Sequence, residues 1–160
     1  MIITSLTADQ SSEVERIVTE SWGGLHIAAH RKLYDLRELP CLIAITDKHE
    51  LLGYCYYRIS GGECEIMAIE SIIHNIGVGS TLIDSIKKLA AESNCSRVYL
   101  QTTNDNTHAF RFYQRRGFTI SAFRLNELDY ARTLKPSIPQ LGEDGIPIQH
   151  EIEFEYMCRE

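Results

Sequence analysis

The chain has 160 residues, a formal net charge of −6 and a pI of about 5.5. With 44% hydrophobic and 24% charged residues it has the make-up of an ordinary globular domain, not of a disordered or fibrous chain. The acidic balance argues against a nucleic-acid partner, which selects a basic face, and mildly favours a cationic small molecule over an anionic one.

Five cysteines, Cys41, Cys55, Cys64, Cys95 and Cys158, include no Cys-x-x-Cys pair. An odd count inside strand-like runs predicts reduced thiols in a cytoplasmic protein, with no disulfide framework and no metal site. Met1-Ile2-Ile3-Thr4 has no basic run and no long apolar segment follows, so neither a signal peptide nor a membrane partner is expected.

Residues 2–6 predict a short strand. Ser11 or Ser12 can cap a helix to about Ser21, with Val14, Ile17, Val18 and Trp22 on one face, and Gly23-Gly24 ends it. Leu25 to Leu39 is mixed and predicts a loop plus a short helix, stopped before Pro40. Leu42–Thr46, Leu51–Ile59 and Cys64–Ile73 predict three consecutive strands, joined by a polar hairpin loop and by Gly61-Gly62. A helix follows Gly79, with Leu82, Ile83, Ile86, Leu89 and Ala90 on its apolar face. Arg97–Gln101 is then a strand, and this strand–helix–strand unit implies a parallel pairing. A helix over Asn106–Arg116 ends at Gly117. Phe118 to Leu125 predicts a strand that could run on to Tyr130. Lys135–Gln149 carries three prolines and two glycines and predicts a loop. Glu151–Met157 alternates Ile152, Phe154 and Tyr156 with charges, as a half-exposed terminal strand does. No repeat or linker divides residues 1–160, so one mixed α/β domain is expected.

The stretch His74-Asn75-Ile76-Gly77-Val78-Gly79-Ser80-Thr81 joins the third strand of the meander to its helix. Two glycines at a helix start let the backbone approach an anion, and the free first-turn N–H groups point at it. A dinucleotide fingerprint needs a third Gly where Leu82 stands. A P-loop needs a Lys, which the turn lacks.

A second segment narrows the choice. Asn106-Thr107-His108-Ala109-Phe110-Arg111-Phe112-Tyr113, followed by Gly117-Phe118, lies one strand after the Gly-x-Gly helix start. The pair resembles the GNAT superfamily of acetyl-CoA-dependent N-acetyltransferases, whose first motif, Gln/Arg-x-x-Gly-x-Gly/Ala, stands here as His74-Asn75-Ile76-Gly77-Val78-Gly79. The resemblance extends from about residue 2 to 157. It implies a GNAT-like acyl-CoA N-acyltransferase fold: a mixed, mostly antiparallel sheet of about seven strands flanked by about four helices. One departure is His74, a weaker anion contact than the family's Arg.

The resemblance implies acetyl-CoA as cosubstrate. Backbone amides of Gly77 to Thr81 would cradle its pyrophosphate, with Ser80 and Thr81 hydroxyls available. Met67, Ala68 and Ile69 would pair with the pantetheine arm, and Asn106, which could equally be a helix cap, would reach it. Tyr113 occupies the family's acid position, and Ile69 N–H is the expected donor to the attacked carbonyl. Trp22, His26, Arg31 and Tyr34 lie in the region that covers the acceptor. Freeing a neutral amine of pKa near 10 at neutral pH costs roughly 4 kcal/mol, so a base is needed. Glu70, between the cofactor strand and the phosphate turn, is the first candidate, ahead of Glu65 and Glu63. The expected acceptor is a small-molecule amine. A non-catalytic acyl-CoA sensor and a protein N-terminal or lysine acetyltransferase remain open, and a homodimer, common in the family, could use the terminal strand or the exposed loop.

Overall fold

The computed structural model describes residues 1–158. Strand β1 (Ile2–Ser5) is followed by helix α1 (Ala8–Trp22), and strands β2 (His26–Ala29) and β3 (Lys32–Asp35) form a separate hairpin. Strands β4 (Cys41–Ile45), β5 (Leu51–Ser60) and β6 (Glu63–Ser71) form the expected antiparallel meander. Helix α2 (Val78–Glu92), strand β7 (Arg97–Thr103), helix α3 (Thr107–Gln114), strand β8 (Thr119–Arg124), helix α4 (Glu127–Leu134) and strand β9 (Glu151–Met157) complete the order. The main sheet runs β1-β4-β5-β6-β7-β9-β8. Its one parallel pair is β6 with β7, the pair that the intervening helix demands.

The sheet is covered on both faces. One face packs Leu82, Ile83 and Ile86 of α2 and Tyr113 of α3 against Cys55, Cys64, Val98 and Phe154. The other packs Val14 and Val18 of α1 and Leu36 against Ile43, Tyr54, Tyr56 and Met67. Cys41, Cys55 and Cys64 are buried free thiols, and burial pushes the Cys64 thiol up to about 12, as suits a packing residue.

Four local readings need correction. Residues 25–39 form the β2–β3 hairpin and a short 3-10 turn at Leu36–Glu38, not a loop plus helix. The hairpin turns on His30 and Arg31, both at positive φ (52° and 59°). Such turns normally advertise themselves with Asn or Gly, and these residues give no such signal. The strand after Gly117 stops at Arg124, because Asn126 enters the left-handed region (φ 57°) and opens α4. Glu127 and Asp129 then complement the helix N-terminus. Helix α1 starts at Ala8, after Thr7, a turn before the serines. Finally, β9 is flanked by β7 and β8, so it offers no edge to a second copy; β1 and β8 are the sheet edges. One of its charged residues, Glu153, is buried: burial would raise its carboxyl, but hydrogen bonds from Ser121, Arg97, Gln101 and Arg124 bring it down to about 2.

Candidate active site

The site is a split in the sheet. Strands β6 and β7 pair only at Cys64↔Val98, Glu65↔Tyr99 and Ile66↔Leu100. Beyond that point β6 stays with β5 and β7 stays with β9, so the two strands part. The cause is visible in the register. Tyr56 pairs with Ala68 and Tyr57 with Ile66, leaving Met67 as an extra residue opposite β5. A bulge bends its strand and ends a pairing, and this one sits where β7 leaves. The β6 edge from Met67 to Ser71 therefore keeps backbone groups free of β7.

Two cavities fill the split. The first, about 460 Å³, lies between β6, β7 and the α2 and α3 starts; its wall includes Met67, Ala68, Ile69, Glu70, His74, Gly79, Asn106, His108, Phe112 and Tyr113. The second, about 520 Å³, lies against β2, α4 and the segment 135–139. Both are lined by Ser21, Trp22, Ile66, Met67, Gln101, Thr102 and Asn106, so they are two lobes of one cleft.

The mouth of the first lobe is the glycine turn. Asn75 (φ 64°) and Gly77 (φ 82°) both lie in the left-handed region. Gly77 caps α2 and needs its conformational freedom; a Cβ there would meet nothing. Gly79 is needed for space, because a Cβ would lie 3.1 Å from the Phe112 ring and 3.2 Å from Ser71 Oγ. The N–H groups of Val78, Gly79 and Ser80 have no helical acceptor by geometry. Thr81 differs: its N–H and its hydroxyl both donate to Gly77 O, at 3.0 and 2.8 Å. The Thr81 hydroxyl is thus committed to the helix. Ser80 Oγ accepts from Arg116, whose guanidinium lies 3.6 Å over the Phe112 ring. His74 is exposed and lines the lobe, while Ile76 points outward.

Asn106 caps α3, its Oδ1 accepting from Ala109 N at 3.1 Å, while Nδ2 is only loosely donated to Thr102 Oγ1 at 3.4 Å. Cap and cavity wall are therefore one residue. Tyr113 is buried among Phe112, Phe118 and Phe154. Its hydroxyl has no hydrogen-bond partner among the described residues and reaches the first lobe, and burial pushes the phenol above its ordinary range. Glu70 has both oxygens engaged. Tyr54 Oη donates to one at 2.7 Å and Ser21 Oγ to the other at 2.9 Å, while Trp22 Nε1 donates to Tyr54 Oη at 2.9 Å. Burial first, and the Glu70 hydrogen bond next, push the Tyr54 phenol up, so it remains a donor.

Of the acceptor-side residues only Trp22 lines the cleft. Arg31 makes a forked pair with Glu127, both bonds 3.1 Å, and lies 4.5 Å over Tyr130. His26 lies near Asp35, and Tyr34 packs on His30 and under Arg58. These three support the hairpin outside both walls. The carboxylates that do line the second lobe are Glu65, Glu127 and Glu151. Glu65 is fully buried and held by His30 (2.8 Å), Arg58 (3.4 Å) and Tyr99 Oη (3.3 Å); its hydrogen bond raises the His30 pKa. Lys135 Nζ, lowered by burial, donates to Trp22 O and His26 O at 2.7 and 2.8 Å, tying α4 to the end of α1. Glu151, Glu127 and Lys135 carry no motif. Only the tertiary fold brings them to the lobe.

The mixed sheet splits beside a helix start, with a second lobe opening behind the split, and the family match makes this chain an acetyl-CoA-dependent acetyltransferase. The family model described as the Acetyltransferase (GNAT) family matches residues 11–118, and the chain belongs to that family. It is 38% identical over 133 residues to the uncharacterized Bacillus subtilis protein YdhI, across 83% of each chain. It is 32% identical over 139 residues to YxbD of the same organism, across 87% of each. Among solved structures it is similar to a Bacillus subtilis acetyltransferase in complex with CoA (TM-score 0.70, 17% identity, 97% of each chain). It is also similar to a GNAT family acetyltransferase from Elizabethkingia anophelis with acetyl-CoA bound (TM-score 0.69, 18% identity, 98% of this chain and 97% of that one). At such identities the structural likeness speaks for the fold.

Proposed function

We propose that the chain, acting as one domain, moves an acetyl group from acetyl-CoA to a primary amine of a small molecule by direct attack in a ternary complex. The observation that carries this is the parting of β6 from β7 at the Met67 bulge, with the α2 N-terminus at one end of the cleft and a second lobe at the other.

Acetyl-CoA supplies an acyl group already activated as a thioester. Val78, Gly79 and Ser80 N–H groups hold the pyrophosphate, helped by the helix dipole. The free backbone edge of Met67, Ala68 and Ile69 binds the pantetheine arm as an added strand would, with Asn106 Nδ2 facing it across the cleft. Ile69 N–H is the donor to the carbonyl oxygen as charge develops there. The acceptor enters by the second lobe and meets Ser21 where the lobes join. Ser21 Oγ takes a proton from the ammonium as it passes its own to Glu70, so no charge is stranded in the cleft. The neutral nitrogen then attacks, the C–S bond breaks, and the second nitrogen proton ends on the thiolate. Tyr113 donates a hydrogen bond to that sulfur. Its elevated pKa suits a donor that keeps its proton.

The test is incubation of the protein with acetyl-CoA and a panel of small amines, following free-thiol release and the acceptor's mass. Acetylated amine in step with thiol release is expected. Tight acetyl-CoA binding with no acetylated amine from any panel member would overturn the proposal.

A further inference from the structure

The second lobe has a chemistry of its own. Its volume of about 520 Å³ suits a small organic molecule. Ile27, Leu128, Ala131, Ile138 and Ile148 give it an apolar middle, contributed by β2, α4 and the two ends of the 135–149 segment.

Three carboxylates face this space, but they are not equivalent. Both Glu65 oxygens accept from His30, and Arg58 and Tyr99 add to one of them. Both Glu127 oxygens are taken by the Arg31 fork. Glu151 accepts only at Oε2, from Arg124 at 3.3 Å; its Oε1 has no hydrogen-bond partner among the described residues. The cations that neutralise these groups, Arg31, Arg58 and Arg124, stand outside the lobe wall, whereas the carboxylates are on it. Lys135, the one cation lining the lobe among the described residues, spends its ammonium on two carbonyls.

The field at Glu151 is short of positive charge. Burial raises its pKa; Arg124 and His30 oppose, and Glu127 and Glu65 push it further up. An incoming cation relieves both effects.

Position then separates two nitrogens. The reacting amine must be neutral and must lie at the lobe junction, beside Ser21, which lines both lobes. Glu151 and its register partner Thr103 line the second lobe and not the first. The charge that Glu151 meets is therefore not the reacting nitrogen.

Building on the acetyltransferase proposal, we infer that the second lobe takes a compact acceptor with two cationic groups separated by an apolar segment, and that Glu151 Oε1 binds the one that is not acetylated. Amino acids are disfavoured, because their carboxylate would meet the unpaired Glu151 oxygen, while Lys135, the one cation lining the lobe among the described residues, is spent on two carbonyls. Monoamines fit the walls but leave Glu151 without its counter-ion.

The experiment is steady-state kinetics with the whole protein and acetyl-CoA, using diamines of graded spacing, monoamines with the same apolar body, and amino acids. Diamines of intermediate spacing are expected to show the highest kcat/KM. Glu151→Gln, which keeps size and shape, is expected to raise the diamine KM about tenfold or more, with kcat, monoamine KM and acetyl-CoA affinity nearly unchanged. Glu151→Asp restores part of the loss. Monoamines equal to diamines, or a Glu151→Gln effect equal on both, would overturn the inference while leaving amine acetylation intact. No acetylation of any amine would overturn the inference and the acetyltransferase proposal together.

Discussion

Gly53→Ala is the substitution that most directly couples the fold to the cleft. Gly53 sits on β5 under the point where β6 ends and α2 begins. A Cβ there would lie 2.7 Å from Glu70 O and 2.7 Å from Val78 Cγ1, with Leu82 Cδ1 at 3.3 Å. One obstacle is a backbone oxygen, so a rotamer change cannot clear it. Overpacking of this kind costs about 1–3 kcal/mol, and the lower unfolded-state entropy of Ala returns about 0.4–1 kcal/mol. The overlap wins, for a net loss of about 1–2 kcal/mol. In a chain of this size that is a Tm drop of about 2–8 °C. The strain is released by moving β6 at Glu70 away from α2 at Val78, which are the two sides of the first lobe's mouth. Turnover is therefore expected to fall about tenfold or more, since small displacements of a reacting geometry are expensive. Differential scanning calorimetry and free-thiol release kinetics on the same preparation read both effects. An unchanged Tm with unchanged turnover would show that Gly53 does not hold the two elements apart.

Other substitutions read individual groups. Tyr113→Phe is expected to lower kcat about tenfold or more while leaving coenzyme A affinity nearly the same, and unaltered turnover would remove the hydroxyl from the reaction. Glu70→Gln should cost most at low pH, where the amine is protonated, and the gap to wild type should close as pH approaches the amine pKa; a constant ratio across pH would contradict the relay through Ser21. His30 has a raised pKa because Glu65 holds its proton, so the protonated pair stabilises the fold below about pH 6.5 and the contribution is lost as pH rises through the higher folded value. The stability difference between wild type and His30→Gln in urea should therefore shrink as pH rises above about 6.5, and a difference that grows would reverse the sign of the argument. Asn106→Ala should cost about 1 kcal/mol through the lost α3 cap and also weaken acetyl-CoA binding, whereas Asn106→Ser should restore the cap alone.

Much of the cleft is legible in the sequence because local chemistry writes it. Gly77, Gly79 and the apolar face of α2 mark the strand-to-helix turn. Asn106 and the Ala109–Tyr113 spacing mark the second helix, and the strand–helix–strand order implies the parallel β6–β7 pair. What stays hidden depends on contacts between distant segments. No turn residue betrays the His30–Arg31 hairpin. Asn126 opens α4 in a conformation that its residue type permits but does not demand. Thr81 looks like an anion ligand until its hydroxyl is seen bonded to Gly77 O. Glu65 reads as an early strand carboxylate, yet it lines the second lobe from the part of β6 still paired with β7, and Glu151 joins it only because β9 inserts between β7 and β8. Arg31 and Tyr34 are suitable acceptor contacts by type, but Glu127 and His30 hold them outside the cleft wall.

The most direct test is isothermal titration of the protein with acetyl-CoA, followed in the same cell by an amine acceptor while free thiol is monitored. Micromolar, one-to-one binding, weakened by Gly79→Val and followed by thiol release on adding amine, is the predicted result. Absence of acetyl-CoA binding to the folded wild-type protein would contradict the placement of the cofactor between β6 and β7.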